Sequence, residues 1–196
     1  MPYRPTEKTR ARLAAVRETI LDAAMAQLAE GGYASASVVT VARRAGVATG
    51  TVYRHFPSKS DLFAEVFRRA SQSEVDVLRS MTSRGEPVAQ RLAAWVEAFV
   101  RRALAEPVRA YALIAEPVDP AVEAERLTFR RAYADLFATI LRGRALDAEL
   151  YAAAIVGALA EALVGPLARR DADPTALVAN LQSFVLSAVR EPERVG

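Results

Sequence analysis

Between Ser37 and Leu62 the chain reads SVVTVARRAGVATGTVYRHFPSKSDL. Small and polar residues, Thr49, Gly50 and Thr51, are followed by four hydrogen-bond donors, Tyr53, Arg54, His55 and Lys59. The chemistry these types can do is recognition of a polyanion. Hydroxyls suit base edges, while phenol, guanidinium and ammonium groups suit phosphates at neighbouring positions. A short helix enters a major groove only when the end that leads is small or polar, which Thr49-Gly50-Thr51 satisfies. Catalysis is not expected. The chain has one His and no Cys, so a thiolate nucleophile and a His or Cys metal set are excluded. No nucleophile has a base beside it and no glycine loop could cradle a phosphate, so we expect no enzyme and no cofactor.

The donors must be held by helices. Gly46 permits the sharp reversal between a short helix over about Ser37 to Ala45 and a second over Thr49 to His55. Ser37 is a plausible N-cap, and Val38, Val41 and Ala42 form the first helix's apolar face. Ala42 and Val47 are small enough to let the two helices cross closely. Before them, Val16, Ile20, Ala24 and Leu28 recur at i+4 steps on a helix from about Thr9 to Glu30, which Gly31-Gly32 ends. After Pro57, Ser58 and Asp61 approximate a capping box for a long helix to about Ser83, with Leu62, Phe63, Val66, Phe67 and Ala70 facing inward.

Pro87, Pro107, Pro120 and Pro174 then sit where first-turn prolines start helices. Asp119 and Asp173 are natural N-caps and Gly143 a C-cap. The expected helices cover roughly 87–105, 107–115, 120–142, 147–165 and 174–190. No segment alternates as a strand would, so the fold class is all-α with about nine helices.

The remaining composition agrees. Over half the 196 residues are hydrophobic and a quarter charged, a globular balance. Net charge is +3, but residues 1–60 hold nine Lys/Arg against four acids, leaving 17 and 19 for the rest. A basic first third admits two readings, a polyanion partner or a solubilising surface. The Arg-studded start lacks an apolar signal segment. The run Tyr151 to Ala160 is about half a membrane span and stops at Glu161. No membrane partner is expected, and the location expected is the cytoplasm.

The string Gly32-Tyr33, Ser37-Val38, Val41-Ala42, Ala45-Gly46-Val47, Gly50-Thr51-Val52-Tyr53, His55-Phe56, Lys59, Leu62 resembles the signature of TetR-type transcriptional regulators. The resemblance implies a three-helix, homeodomain-like helix-turn-helix domain over 1–57 and a helical ligand-binding and dimerising domain over 58–196. It implies that Thr49 and Thr51 face the groove, that Gly50 allows close approach, and that Tyr53 and Lys59 hold phosphates. Arg54 and His55 would lie at the groove edge, with Ser37, Thr40 and Arg44 as further DNA-binding candidates. Phe56 reads as core. The family usually has Ser where this chain has Ala48, which puts the cap of the recognition helix on Thr49 as an expectation.

The last two long helices are apolar on two faces, which points to a partner copy on the outside, the alternative being a fully enclosed core helix. The expected dimer residues are Tyr151, Ile155, Ala158, Leu159, Ala162, Leu181, Phe184 and Val185. By the resemblance, the middle helices line a pocket for a small molecule, with an apolar or aromatic effector favoured. Candidate pocket residues are Trp95, Phe99, Tyr111, Glu116, Phe129, Arg130, Tyr133 and Phe137, and Arg102 and Arg109 could be polar anchors. Glu161 fits an anchor or a dimer pair equally. The functional expectation is a repressor released from a pseudo-palindromic double-stranded DNA operator. Alternatives are an activator, or a helix-turn-helix protein with no small-molecule effector.

Overall fold

The computed structural model describes residues 6–82, 85–143 and 147–189. Within them lie nine helices and no strand: α1 (Glu7–Gly31), α2 (Val38–Arg44), α3 (Thr49–His55), α4 (Lys59–Thr82), α5 (Val88–Ala105), α6 (Pro107–Ile114), α7 (Pro120–Leu141), α8 (Ala148–Arg169) and α9 (Pro174–Ala188). The expected ends at Ser83 and residue 190 fall outside the described residues.

Local chemistry sets most boundaries. The hydroxyl of Thr6 caps α1 by accepting the Thr9 amide, and Gly32 ends it at φ 75°, a backbone shape that an L side chain strains. Ser37 caps α2 through the Thr40 amide, and the Val47 amide closes the turn onto the Ala42 carbonyl at 3.0 Å. Gly46 takes φ 66° in that turn. Ser58 accepts the Asp61 amide, and its hydroxyl donates to the Asp61 carboxylate. Asp173 caps α9 through the Thr175 amide.

Two expectations fail. Asp119 precedes α7 but makes no cap, because its carboxylate takes the phenol of Tyr33 instead. Pro166 does not end α8, which runs on to Arg169. An interior proline costs about 3 kcal/mol. Here it keeps Leu167, 1% exposed, in the core, and burial of a Leu returns roughly 1.5–3 kcal/mol.

Two hydrophobic cores organise the chain. One joins Ile20, Ala24 and Leu28 of α1 to Val41, Val52, Phe56 and the first half of α4, and also takes in Ala112, Leu113 and Val122. The other gathers the end of α4 with α5, α7, α8 and α9 around Trp95 and Phe137. Helix α4 lies along α7, α7 along α8, and α5 along α9, while α6 touches both α1 and α8. The one α6–α7 corner therefore borders both cores.

Candidate DNA-reading head and effector cavity

The α2–turn–α3 unit presents its candidates unevenly. Val52 is fully buried and Phe56 nearly so, which anchors α3. Around that anchor Gly50, Tyr53 and Arg54 are exposed, and Thr49, Thr51 and His55 half-buried. Tyr53, at 49% exposure, points its phenol away from the core, as a phosphate contact requires. Arg54 touches the Thr51 hydroxyl at 3.3 Å. Ala48 has N-cap geometry but offers no side-chain cap, and Thr49 does not replace it. The expectation that Thr49 is spent as a cap is thus corrected, because its side chain follows the cap position and lies inside the first turn.

Other candidates are already engaged. Ser37 and Thr40 bond each other and close the start of α2. Arg44 pairs with Glu30 through both its terminal nitrogens, so a phosphate would have to displace a carboxylate. Lys59 donates to the Tyr33 carbonyl at 3.0 Å and lies 4.3 Å from that ring's centroid. Two of its three donors remain for other work.

Tyr33 had no role in the sequence beyond its motif, yet it is a junction. Its amide donates to Glu116 at 2.7 Å, and the next amide, that of Ala34, donates to the other oxygen of Glu116 at 2.8 Å. Its phenol donates to Asp119. Burial, then the bond to Asp119, push that phenol above the usual tyrosine range. Glu116 is therefore no pocket residue. It sits 82 and 83 positions from its partners, so no local signal in the sequence could have found the contact.

Arg126 was also missed. It is 6% exposed and donates to the carbonyls of Leu113 at 3.1 Å, Ala112 at 3.0 Å and Glu116 at 2.6 Å, with Glu123 at 2.6 Å as its counter-ion. Arg130, one turn on, reaches the Ile114 carbonyl at 3.1 Å. The last turn of a helix leaves four carbonyls without partners. Two arginines of α7 supply them for α6. Burial pulls the Arg126 guanidinium down from its usual value, and Glu123 works against that shift.

These arginines border a narrow cavity of about 30 Å³, lined chiefly by Trp95, Phe99, Phe129, Tyr133, Val156 and Leu159. A second cavity of about 40 Å³ shares Phe99, Phe129 and Tyr133 and reaches Glu74, Arg102 and Arg109. Arg102 holds Glu74 in a two-pronged pair at 2.7 and 2.8 Å. Of the expected pocket residues, Trp95, Phe99, Phe129, Arg130 and Tyr133 meet at these cavities. Tyr111 and Glu116 line neither. Phe137 is fully buried, its centroid 4.1 Å from that of Trp95, and belongs to the core.

The expected dimer face also divides. Ile155, Leu159, Leu181 and Val185 face the chain's own core, none more than 8% exposed, so they are not contact residues for a partner. Both helices are wide enough in apolar residues that the sequence could not say which stripe turns inward. Outward lie Leu150 at 63% and Phe184 at 47% exposure, with Tyr151, Ala158 and Ala162 half-buried. Glu161 is exposed and enters no cavity. By length and apolarity alone α8 could cross a bilayer, but Ile155, Leu159, Leu163 and Leu167 place its inner side in the core.

An exposed α3 set across α2 on a buried three-helix base, joined to a helical bundle, is a helix-turn-helix arrangement. The family described as bacterial regulatory proteins, tetR family, matches residues 20–66. That match covers the second half of α1, all of α2 and α3, and the start of α4, so the chain carries a segment similar to the N-terminal domain of this family. It is 47% identical over 53 residues to the HTH-type transcriptional repressor KstR of Rhodococcus jostii, covering 27% of this chain and 25% of that one. It is 43% identical over 77 residues to KstR of Mycobacterium tuberculosis, covering 39% and 34%. The matches thus span about a quarter to a third of these relatives. Across the fold, the fatty acid degradation regulator FadR of Bacillus halodurans superposes with a TM-score of 0.71 at 25% identity, covering 88% of this chain and 99% of that one. FadR of Bacillus subtilis, solved with stearoyl-CoA, shares the fold with a TM-score of 0.75 at 21% identity, covering 88% and 99%.

Proposed function

We propose that the chain is a one-component repressor that binds a pseudo-palindromic operator as a homodimer and is released by an apolar or aromatic small molecule. The observation that carries the reading is the exposed edge of α3, where Gly50, Tyr53 and Arg54 stand over a fully buried Val52. In this reading residues 1–57 form the reading head and 58–196 the sensing and dimerising part. It works in the cytoplasm beside its DNA and has no enzymatic role. The outward residues of α8 and α9, led by Phe184, are the proposed dimer contact.

Release needs a ligand that favours one spacing of the two heads over the other. The proposed route runs through the α6–α7 corner. Arg126 borders the cavity and grips the carbonyls of Ala112, Leu113 and Glu116, while the Glu116 carboxylate grips the amides after α1. A molecule that shifts Arg126 would move the reading head. Relatives named as fatty acid regulators, one from Bacillus subtilis among them, support an apolar effector.

A second reading is a regulator without an effector, and the narrowness of the cavity, about 30 Å³, favours it. A cavity that size holds about one water, so an effector must part the aromatic walls. An activator is a further possibility, as a relative in Mycolicibacterium smegmatis is named as one. Footprinting on the promoter beside the chain's own gene, with and without hydrophobic metabolites, tests all three. Protection lost on adding a metabolite supports the proposal, and protection that no metabolite alters supports the second reading.

A further inference from the structure

The cavity between α5, α7 and α8 is lined by one buried donor without an acceptor and by a hydroxyl that bonds nothing among the described residues. Trp95 is 1% exposed, and its indole N–H has no partner among the described residues. Tyr133 is 4% exposed, and its hydroxyl bonds no group among the described residues, although Glu74 and Arg102 are near enough to act on its charge. Both side chains line the cavity. Buried donors are almost always satisfied, and an orphan costs about 1–3 kcal/mol. Ring packing gives no reason for an indole or a phenol at these two positions. Trp95 stacks on Phe99 at 5.7 Å and meets Tyr133 edge-on at 5.4 Å, contacts that phenylalanines would also make.

We infer that the cavity takes an uncharged apolar body carrying a carbonyl oxygen, as in a ketone, ester or thioester, which accepts hydrogen bonds from the Trp95 indole and the Tyr133 hydroxyl. A carbonyl oxygen has two lone pairs and brings no donor, which matches a wall that offers donors among apolar groups. An amine would add donors to donors. A carboxylate would bury charge beside Trp95, Phe99 and Phe129, and to be paired it would have to draw Arg126 or Arg130 away from the carbonyls and the Glu123 carboxylate they already hold. Phe99 and Phe129 are half-buried and stand in both cavities. Rotation of both rings would join the two spaces into one slot ending at Arg102 and Arg109. An acyl thioester can leave its charged part at that polar end.

The inference rests on the effector reading above and names the chemistry of that site. Its test uses the fact that Trp95 is the chain's one tryptophan, so a nitrogen-labelled sample shows a single indole N–H resonance. The full-length protein is titrated with butyrophenone, with butylbenzene, which lacks the oxygen, and with octanoyl-CoA. Binding is followed by calorimetry and by that resonance. Butyrophenone should bind roughly tenfold more tightly than butylbenzene, the yield of one buried hydrogen bond, and should shift the indole resonance downfield. Tyr133→Phe keeps the ring and its packing. It should lower butyrophenone affinity several-fold and leave butylbenzene unchanged. Displacement of butyrophenone by octanoyl-CoA would assign the oxygen to a thioester, and no displacement to a smaller ketone or ester. Equal affinity for the matched pair, no binding of any probe, or binding that leaves the indole resonance unmoved overturns the inference. Operator affinity is measured separately. A ketone that binds as described without releasing DNA leaves the site chemistry standing and removes the effector reading.

Discussion

The Glu116 carboxylate accepts the backbone amide of Tyr33 at 2.7 Å, joining the α6–α7 corner to the end of α1. Its second oxygen takes the amide of Ala34. The corner that carries Glu116 is itself held by Arg126 beside the cavity. One carboxylate thus links the α6–α7 corner to the α1–α3 unit at a point where Glu116 and Tyr33 are both largely out of water.

Removing that carboxylate should be costly. Glu116→Ala leaves the buried Tyr33 amide without an acceptor and should lower stability by about 1–3 kcal/mol, with Glu116→Gln milder because it keeps an acceptor. Gly32→Ala should also destabilise, since Gly32 has φ +75° and a Cβ there would sit 2.8 Å from Glu116 Oε2. The double variant should cost less than the sum, because the Ala at 116 removes the clash. Urea unfolding of the three single variants and the pair checks this, and strict additivity would show the two sites to be independent.

Lys59→Ala should weaken DNA binding on all sequences and reduce the salt slope by roughly one. Tyr53→Phe should weaken it with the slope unchanged, and substitutions at Thr49 or Thr51 should alter sequence preference. Anisotropy titrations across a salt series measure all of these. An unchanged slope for Lys59→Ala would assign its charge wholly to the Tyr33 carbonyl and ring.

Ala48 already holds N-cap backbone angles, φ −69° and ψ 146°, with no capping side chain. Ala48→Ser should therefore stabilise the protein by about 1 kcal/mol. Thermal melting reads the gain, and a lower melting temperature would mean that Ser cannot reach the α3 amides.

Phe184→Glu should split the proposed dimer while each subunit stays folded, because Phe184 is 47% exposed in the single chain. Val185→Glu, at a fully buried neighbour, should instead unfold the subunit, since an unpaired buried charge costs several kcal/mol. Sedimentation and circular dichroism together separate the two outcomes. An intact Phe184→Glu dimer would move the contact elsewhere.

Two of the six tyrosines should resist alkaline ionisation. Burial raises Tyr33 and Tyr133 above the tyrosine range, aided by Asp119 and Glu74 respectively. In each the folded state keeps its proton where the unfolded state loses it. Their contribution is whole below about pH 10 and is lost as pH rises past it. Ultraviolet titration should show these two phenols ionising late and together with unfolding. Ionisation of all six before unfolding would contradict the burial.

The sequence alone determined whatever depends on near neighbours. Helix starts follow from Ser37, Ser58 and Asp173 acting within three residues, and the α2–α3 turn follows from Gly46. The motif from Gly32 to Leu62 is equally local, which is why the α2–turn–α3 arrangement was legible. Tertiary structure decided the rest. Asp119 looked like a cap and Glu116 like a pocket anchor, yet each is claimed by Tyr33 from more than eighty residues away. Along α8 and α9 the apolar residues surround the helix, so periodicity could not say that Ile155, Leu159 and Val185 turn inward and Phe184 outward. Only the packing of α7 and α5 against those helices made that choice. A side chain's type sets what it can bond, but its partner is set by which distant segments the two cores bring together.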